Sequence, residues 1–117
     1  RIITKDGPLE TERCEPLING MKEVSKSALI GIGRNSTKLP CIVVELFSHI
    51  KQKDFPTVKE KVLEILKMHL PAFSFKYVVF EKCLPVDSRH NVKIHRLSLS
   101  KKWTKLWLKN PAKYFTL

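Results

Sequence analysis

Glycine is scarce in this chain, with four in 117 residues, and the four are not spaced as a phosphate-cradling loop requires. Gly31-Ile32-Gly33 follows an apolar run, but no third glycine, no Gly-Lys-Ser/Thr and no helix start comes after it, which leaves a strand-end turn as its reading. Long apolar runs are missing as well. None approaches the ~20 residues of a membrane span, and no basic start leads into an apolar signal core, so the expected setting is the cytoplasm with no transmembrane segment. Cys14, Cys41 and Cys83 are odd in number, far apart and never arranged as Cys-x-x-Cys. The histidines, His49, His69, His90 and His95, have no ligand spacing to them. That pattern argues against a disulfide framework and against a metal site, and leads us to expect reduced, buried thiols.

Acidic residues are also in short supply: 11 Asp and Glu stand against 22 Lys and Arg, for a formal net charge of +11. Such a surface attracts anions, whether nucleic acid, nucleotides, phosphates or an acidic partner face, and sign alone does not choose among them. Hydrophobic residues at 43% and charged residues at 28% are near globular averages, which argues against a disordered tail. The length suits a single core. The chain starts in β-like sequence (Arg1-Ile2-Ile3-Thr4) without an initiator Met, so a piece of a longer protein is expected.

Lys5-Asp6-Gly7 is a turn signal between Arg1–Thr4 and a return strand over Leu9–Arg13, which predicts an opening hairpin. Leu17, Ile18, Met21 and Val24 then follow helical spacing from Glu15 to Val24, with Pro16 in the first turn. Ser27–Ile32 and Cys41–Leu46 are apolar, β-branched runs joined by a segment of turn formers, and read as antiparallel neighbours. Thr57-Val58-Lys59-Glu60 matches a capping box, and Val58, Val62, Ile65, Leu66 and Leu70 mark one face of a helix ended by Pro71. Lys76–Phe80 is a third buried strand. The fold class is therefore α/β (α+β): an N-terminal β-hairpin followed by a small three-stranded mixed sheet with flanking helices. The expected layout of 1–117 as one domain is a hairpin over 1–14, a β-loop-β-α-β core over 15–83, a loop over 84–96 and a basic C-terminal helix and tail over 97–117.

Two segments carry candidate chemistry. In the tail, Ser100 is a plausible N-cap for a short helix closed by Pro111, with Trp103, Leu106 and Trp107 on one face and Lys101, Lys102, Lys105 and Lys109 around them. Such a helix lies on a nucleic acid or an anionic membrane, or packs its tryptophans on the core and leaves its lysines in water. The other segment is the polar loop Leu84-Pro85-Val86-Asp87-Ser88-Arg89-His90-Asn91-Val92-Lys93-Ile94-His95-Arg96. Its lysine, framed by apolar residues, is a compact charge that can meet a phosphate or carboxylate; the bland alternative is a solvated basic turn.

The order of these motifs resembles the small C-terminal domain of the AMP-forming acyl ligases: acyl-CoA synthetases, luciferases and nonribosomal adenylation domains. It comprises Lys5-Asp6-Gly7, Glu15-Pro16 opening a helix, Ser27-Ala28-Leu29-Ile30-Gly31-Ile32-Gly33, an amphipathic helix ending Leu70-Pro71, and the loop to Arg96. Gly7–Glu12 with Cys14-Glu15-Pro16, and Pro85–Asn91 with Lys93-Ile94, resemble most the fatty-acyl branch that includes the olefin-pathway β-lactone synthetases. Pro85, Lys93, Ile94 and Arg96 match the family pattern, while Val92 stands where glycine is common.

The resemblance implies an ATP-dependent ligase that joins a fatty or 3-hydroxy fatty acid to AMP, releasing pyrophosphate. Lys93 would be catalytic, contacting the carboxylate and α-phosphate oxygens. Lys5, Asp6 and Gly7 would face the active site after a domain rotation, and Arg89, His90, Asn91 and Arg96 would face nucleotide, acyl group or CoA. ATP and Mg would be bound mainly by a large N-terminal domain, the implied partner, without which the domain would be inactive. Between CoA thioester formation and β-lactone formation the choice stays open. The competing expectation from another class is a free-standing basic module that binds nucleic acid through the lysine-rich tail; the ligase reading expects no nucleic acid.

Overall fold

The computed structural model of the chain describes residues 1–86 and 93–115. Strands β1 (Ile2–Thr4) and β2 (Gly7–Leu9) pair antiparallel, with Ile2 opposite Leu9 and Thr4 opposite Gly7. Only Lys5 and Asp6 lie between them, because Gly7 takes φ 110°, a backbone region closed to most residues that carry a Cβ. So tight a reversal moves the return strand forward from the predicted Leu9–Arg13, and Thr11 already begins helix α1 (Thr11–Asn19). Pro16 is consequently inside α1 and not in its first turn. The helix also stops earlier than the predicted Val24. Met21 N donates to the Ile18 carbonyl and Val24 N to that of Met21, two turns that lead directly into β3 (Val24–Ile32).

The central sheet has the order β3-β4-β5, with β4 (Leu39–Leu46) antiparallel to β3 and β5 (Tyr77–Phe80) parallel to β4. A parallel pair needs a crossover, and helix α2 (Phe55–His69) supplies it. Strand alternation divides the side chains between two faces. Leu29, Ile42, Val44 and Val78 pack with Cys14 and Ile18 of α1 and Val58, Val62 and Leu66 of α2. Ala28, Ile30, Ile32, Cys41, Val43 and Val79 pack on the opposite side with Leu84 and with Leu99 and Trp103 of helix α3 (Arg96–Lys109). Burial on both faces explains why these strands read as unbroken apolar runs.

The helix starts differ from the sequence expectation. A 3-10 turn over Gln52–Asp54 runs straight into α2, so the helix is under way at Phe55 with Pro56 in its first turn; no side-chain cap is made and the predicted box at Thr57–Glu60 lies inside it. The α2 end at His69, with Leu70 before Pro71, is where the sequence placed it. Helix α3 begins at Arg96 instead of Ser100, whose hydroxyl donates to the Gly31 carbonyl and therefore caps nothing. Pro111 does not close the tail but opens a further short helix, α4 (Pro111–Phe115). Cys14 and Cys41 are buried and Cys83 is exposed in the bend after β5, so the expectation of three buried thiols fails at Cys83. Burial pushes the Cys14 thiol up to about 11 and raises that of Cys41 as well.

Candidate functional site

After β5 the chain passes under the α3 side of the sheet. Leu84 is fully buried there, and its amide donates to Glu45 Oε1 at 2.8 Å. Val86 and Ile94 form an antiparallel bridge, and His95 N donates to the Pro85 carbonyl at 2.9 Å. The two ends of the polar loop are thereby tied into a neck. Ile94 packs against the core that contains Leu99 and Trp103, while Lys93, the next residue out, is exposed and has no ion-pair partner among the described residues. Arg89, His90 and Asn91, predicted to face nucleotide, acyl group or CoA, lie outside the described residues.

Arg96 closes the segment on the other side. Its Nε donates to Glu15 Oε2 at 2.9 Å and its Nη2 to Glu15 Oε1 at 2.5 Å, a two-pronged pair linking the start of α3 to α1. Glu15 Oε2 also accepts from Leu29 N at 2.7 Å, on the outer edge of β3. The bonds to Glu15 raise the Arg96 pKa further, so the guanidinium stays charged. Nothing in the local sequence marks the partnership of Glu15, because Arg96 is 81 residues away.

The hairpin turn is built from near neighbours. Thr4 Oγ1 donates to the Gly7 carbonyl at 2.8 Å and accepts from Asp6 N at 3.1 Å. Asp6 Oδ2 accepts from Ser74 N at 3.0 Å, ahead of β5, and Ile3 O accepts from Lys38 N at 2.7 Å, ahead of β4. Lys5 is exposed beside a cleft of about 520 Å³ that Arg34, Lys76, Tyr77 and Trp107 also line. This turn thus sits where β4 and β5 begin, whereas Leu84, which leads into the neck, is bonded to Glu45 near the end of β4, and Arg96, which follows Lys93, is bonded through Glu15 to Leu29 of β3. Among the described hydrogen bonds and ion pairs, none links Lys5, Asp6 or Gly7 to Lys93.

On α3, Trp103 is buried and its Nε1 donates to Glu81 Oε1 at 3.0 Å, an oxygen that Lys102 Nζ also meets at 2.5 Å. Trp107 is half-buried, and Lys101, Lys105 and Lys109 are exposed. Gly31 is inside β3, and a Cβ there would come within 2.7 Å of the Lys38 Cβ, so its glycine serves close packing. Among the described residues, no three or more His, Cys, Asp and Glu side chains are grouped to hold a metal ion, and no helix is long and apolar enough to cross a membrane.

Two curated relatives match this chain: an olefin β-lactone synthetase of Stenotrophomonas maltophilia, 34% identical over 100 residues, and one of Xanthomonas campestris, 32% identical over 100 residues. Each match covers 86% of this chain and 18% of the relative, so the chain spans less than a fifth of their length. Among solved structures, the Brucella canis acyl-CoA synthetase superposes with a TM-score of 0.74 over 91% of this chain and 19% of that one, at 20% identity, a likeness of fold. No family model matches.

Proposed function

We infer that this chain, which belongs with the adenylate-forming acyl ligases as one domain of such an enzyme, is the C-terminal domain that closes over a larger N-terminal domain and carries Lys93 into the shared site. The observation that carries this reading is the position of Lys93: exposed, without an ion-pair partner among the described residues, and one residue beyond a β-bridged neck, in a chain whose match to the lactone synthetases extends over most of its length. In this reading a carboxylate oxygen of the acid attacks the α-phosphorus of Mg-ATP, which the other domain would mainly hold, and takes up the adenylyl group as pyrophosphate leaves. Negative charge gathers as carboxylate and phosphate approach. An ammonium placed there in advance, in a cleft that excludes water, stabilises that charge without reorganising at the moment of reaction. The neck restricts where the Lys93 backbone can be, so less orientation is lost when the domains close.

The hairpin turn serves a second step, where Gly7 has no side chain to hold a substrate away from the backbone. Because the two relatives are olefin β-lactone synthetases, a 3-hydroxy fatty acid is the favoured substrate. Its hydroxyl oxygen attacks the activated carboxyl carbon, the bond to AMP breaks, and a four-membered lactone forms with loss of the hydroxyl proton, with no thiol required. CoA thioester formation from an unsubstituted fatty acid is the other outcome within the same class. The nucleic-acid reading has less support, since Trp103 is buried against the sheet and is not free to stack on bases.

In the complete enzyme, Lys93→Ala should lower acid-dependent pyrophosphate exchange by about 10²- to 10³-fold, the usual loss for one such donor. Near-normal exchange would overturn the assignment. Assaying 3-hydroxy and unsubstituted fatty acids with and without CoA separates the two second steps: CoA-independent loss of the 3-hydroxy acid to a lactone is the expected result.

A further inference from the structure

We propose that Glu15 is a positioning residue for adenylation: its carboxylate clamps Arg96 to the edge of β3 and so sets where the Lys93 ammonium can reach. This rests on the assignment of Lys93 above. Glu15 is on α1, far from Lys93 in sequence, and its side chain is 12% exposed. One carboxylate oxygen accepts both the Leu29 amide and Arg96 Nε, and the other accepts Arg96 Nη2. Three elements, α1, β3 and α3, therefore meet on a single side chain.

The local sequence works against this arrangement. A guanidinium at the first residue of a helix opposes the macrodipole, and α3 has no acidic residue in its first turn. Arg96 can start α3 at little cost because Glu15 supplies the missing negative charge from another element. Consequently the clamp does more than join two surfaces; it fixes which residue begins the helix. His95 N is bonded to Pro85 O and Arg96 to Glu15, so the segment immediately after Lys93 is held from two directions. Releasing Arg96 leaves the neck held by the Pro85–Val86 segment and the packing of Ile94, without its tie to α1 and β3. Lys93 then samples positions off the productive one, and a displacement of about 1 Å can cost up to about 10²-fold in rate.

The test uses the complete enzyme and the variants Glu15→Gln, Arg96→Gln, Arg96→Lys, Lys93→Ala and the double variant Glu15→Gln/Lys93→Ala. Glu15→Gln keeps an acceptor for Leu29 N and loses the charge that holds Arg96. It is expected to lower the kcat of pyrophosphate exchange about tenfold to a hundredfold with little change in KM for ATP. Arg96→Lys should retain more activity than Arg96→Gln. The decisive readout is coupling: in the Lys93→Ala background, Glu15→Gln should add little further loss, because its effect passes through the lysine. If Lys93→Ala lowers exchange but Glu15→Gln alone does not, the positioning role is overturned and the Lys93 assignment stands. If Glu15→Gln costs as much without Lys93 as with it, its role is structural only and the proposal fails. If Lys93→Ala itself is near normal, it is the assignment of the lysine that fails. Melting temperature measured alongside shows whether a loss of activity is a loss of fold.

Discussion

The Lys5–Gly7 turn and the neck below Lys93 are held by different means. At the hairpin turn the bonds are of mixed range: Thr4 reaches Asp6 and Gly7 within the turn, while Asp6 meets Ser74, 68 residues away, and Ile3 meets Lys38. At the Lys93 end they are long-range, with Leu84 bonded 39 residues back to Glu45 and Arg96 bonded 81 residues back to Glu15. The hairpin turn is thus closed in part by its own residues, whereas the neck below Lys93 depends on α1, β3 and β4 being in place. Under the proposed two-step reading, this contrast ties the position of Lys93 to the surrounding core more than it does that of the hairpin turn.

The largest effect on stability should come from breaking the long-range side. Glu45→Ala leaves the amide of the fully buried Leu84 without its acceptor, and should cost about 1–3 kcal/mol in a denaturant titration. Adenylation should fall with it, because the strand beneath the neck loosens. On the local side, Gly7→Ala places a Cβ on a backbone with φ 110° where nothing else crowds it, so the penalty is backbone strain alone, about 1–2 kcal/mol. That cost should be confined to the hairpin, visible as faster amide exchange in β1 and β2 with β4 unchanged.

The smallest effect concerns a bond at neither turn. The hydrogen bond from Lys61 lowers the Glu23 carboxyl pKa against the opposing effect of burial, with smaller help from the residue's own backbone amide and the charges of Lys61 and Lys22. A carboxyl whose folded pKa is depressed contributes stability that is fully present above its unfolded value and is lost as pH falls through the folded value. The domain should therefore lose up to about 1 kcal/mol from this pair on acidification below the ordinary glutamate range. Glu23→Gln should remove that part of the pH dependence, while leaving the contrast between the two turns as it was.

The same division explains what the sequence could show. The three core strands were legible because burial on both faces leaves no polar alternation to misread, and Pro71 marks the α2 end without ambiguity. Helix starts were less so. Ser100 and Thr57 look like caps in sequence, but their helices were started upstream by contacts that sequence spacing does not carry: the Glu15–Arg96 pair for α3 and the preceding 3-10 turn for α2. Gly7 was legible through its turn. Lys93 was singled out through its motif as a candidate, and Glu15 entered only as part of a motif, its pairing with Arg96 hidden until α3 is folded against α1.

The most direct test is to measure pyrophosphate exchange side by side in Lys93→Ala and Gly7→Ala versions of the complete enzyme. Lys93→Ala is expected to lose about 10²- to 10³-fold, while Gly7→Ala retains most of its exchange and loses the second step instead. Equal loss of exchange in both variants, or none in Lys93→Ala, would contradict that expectation.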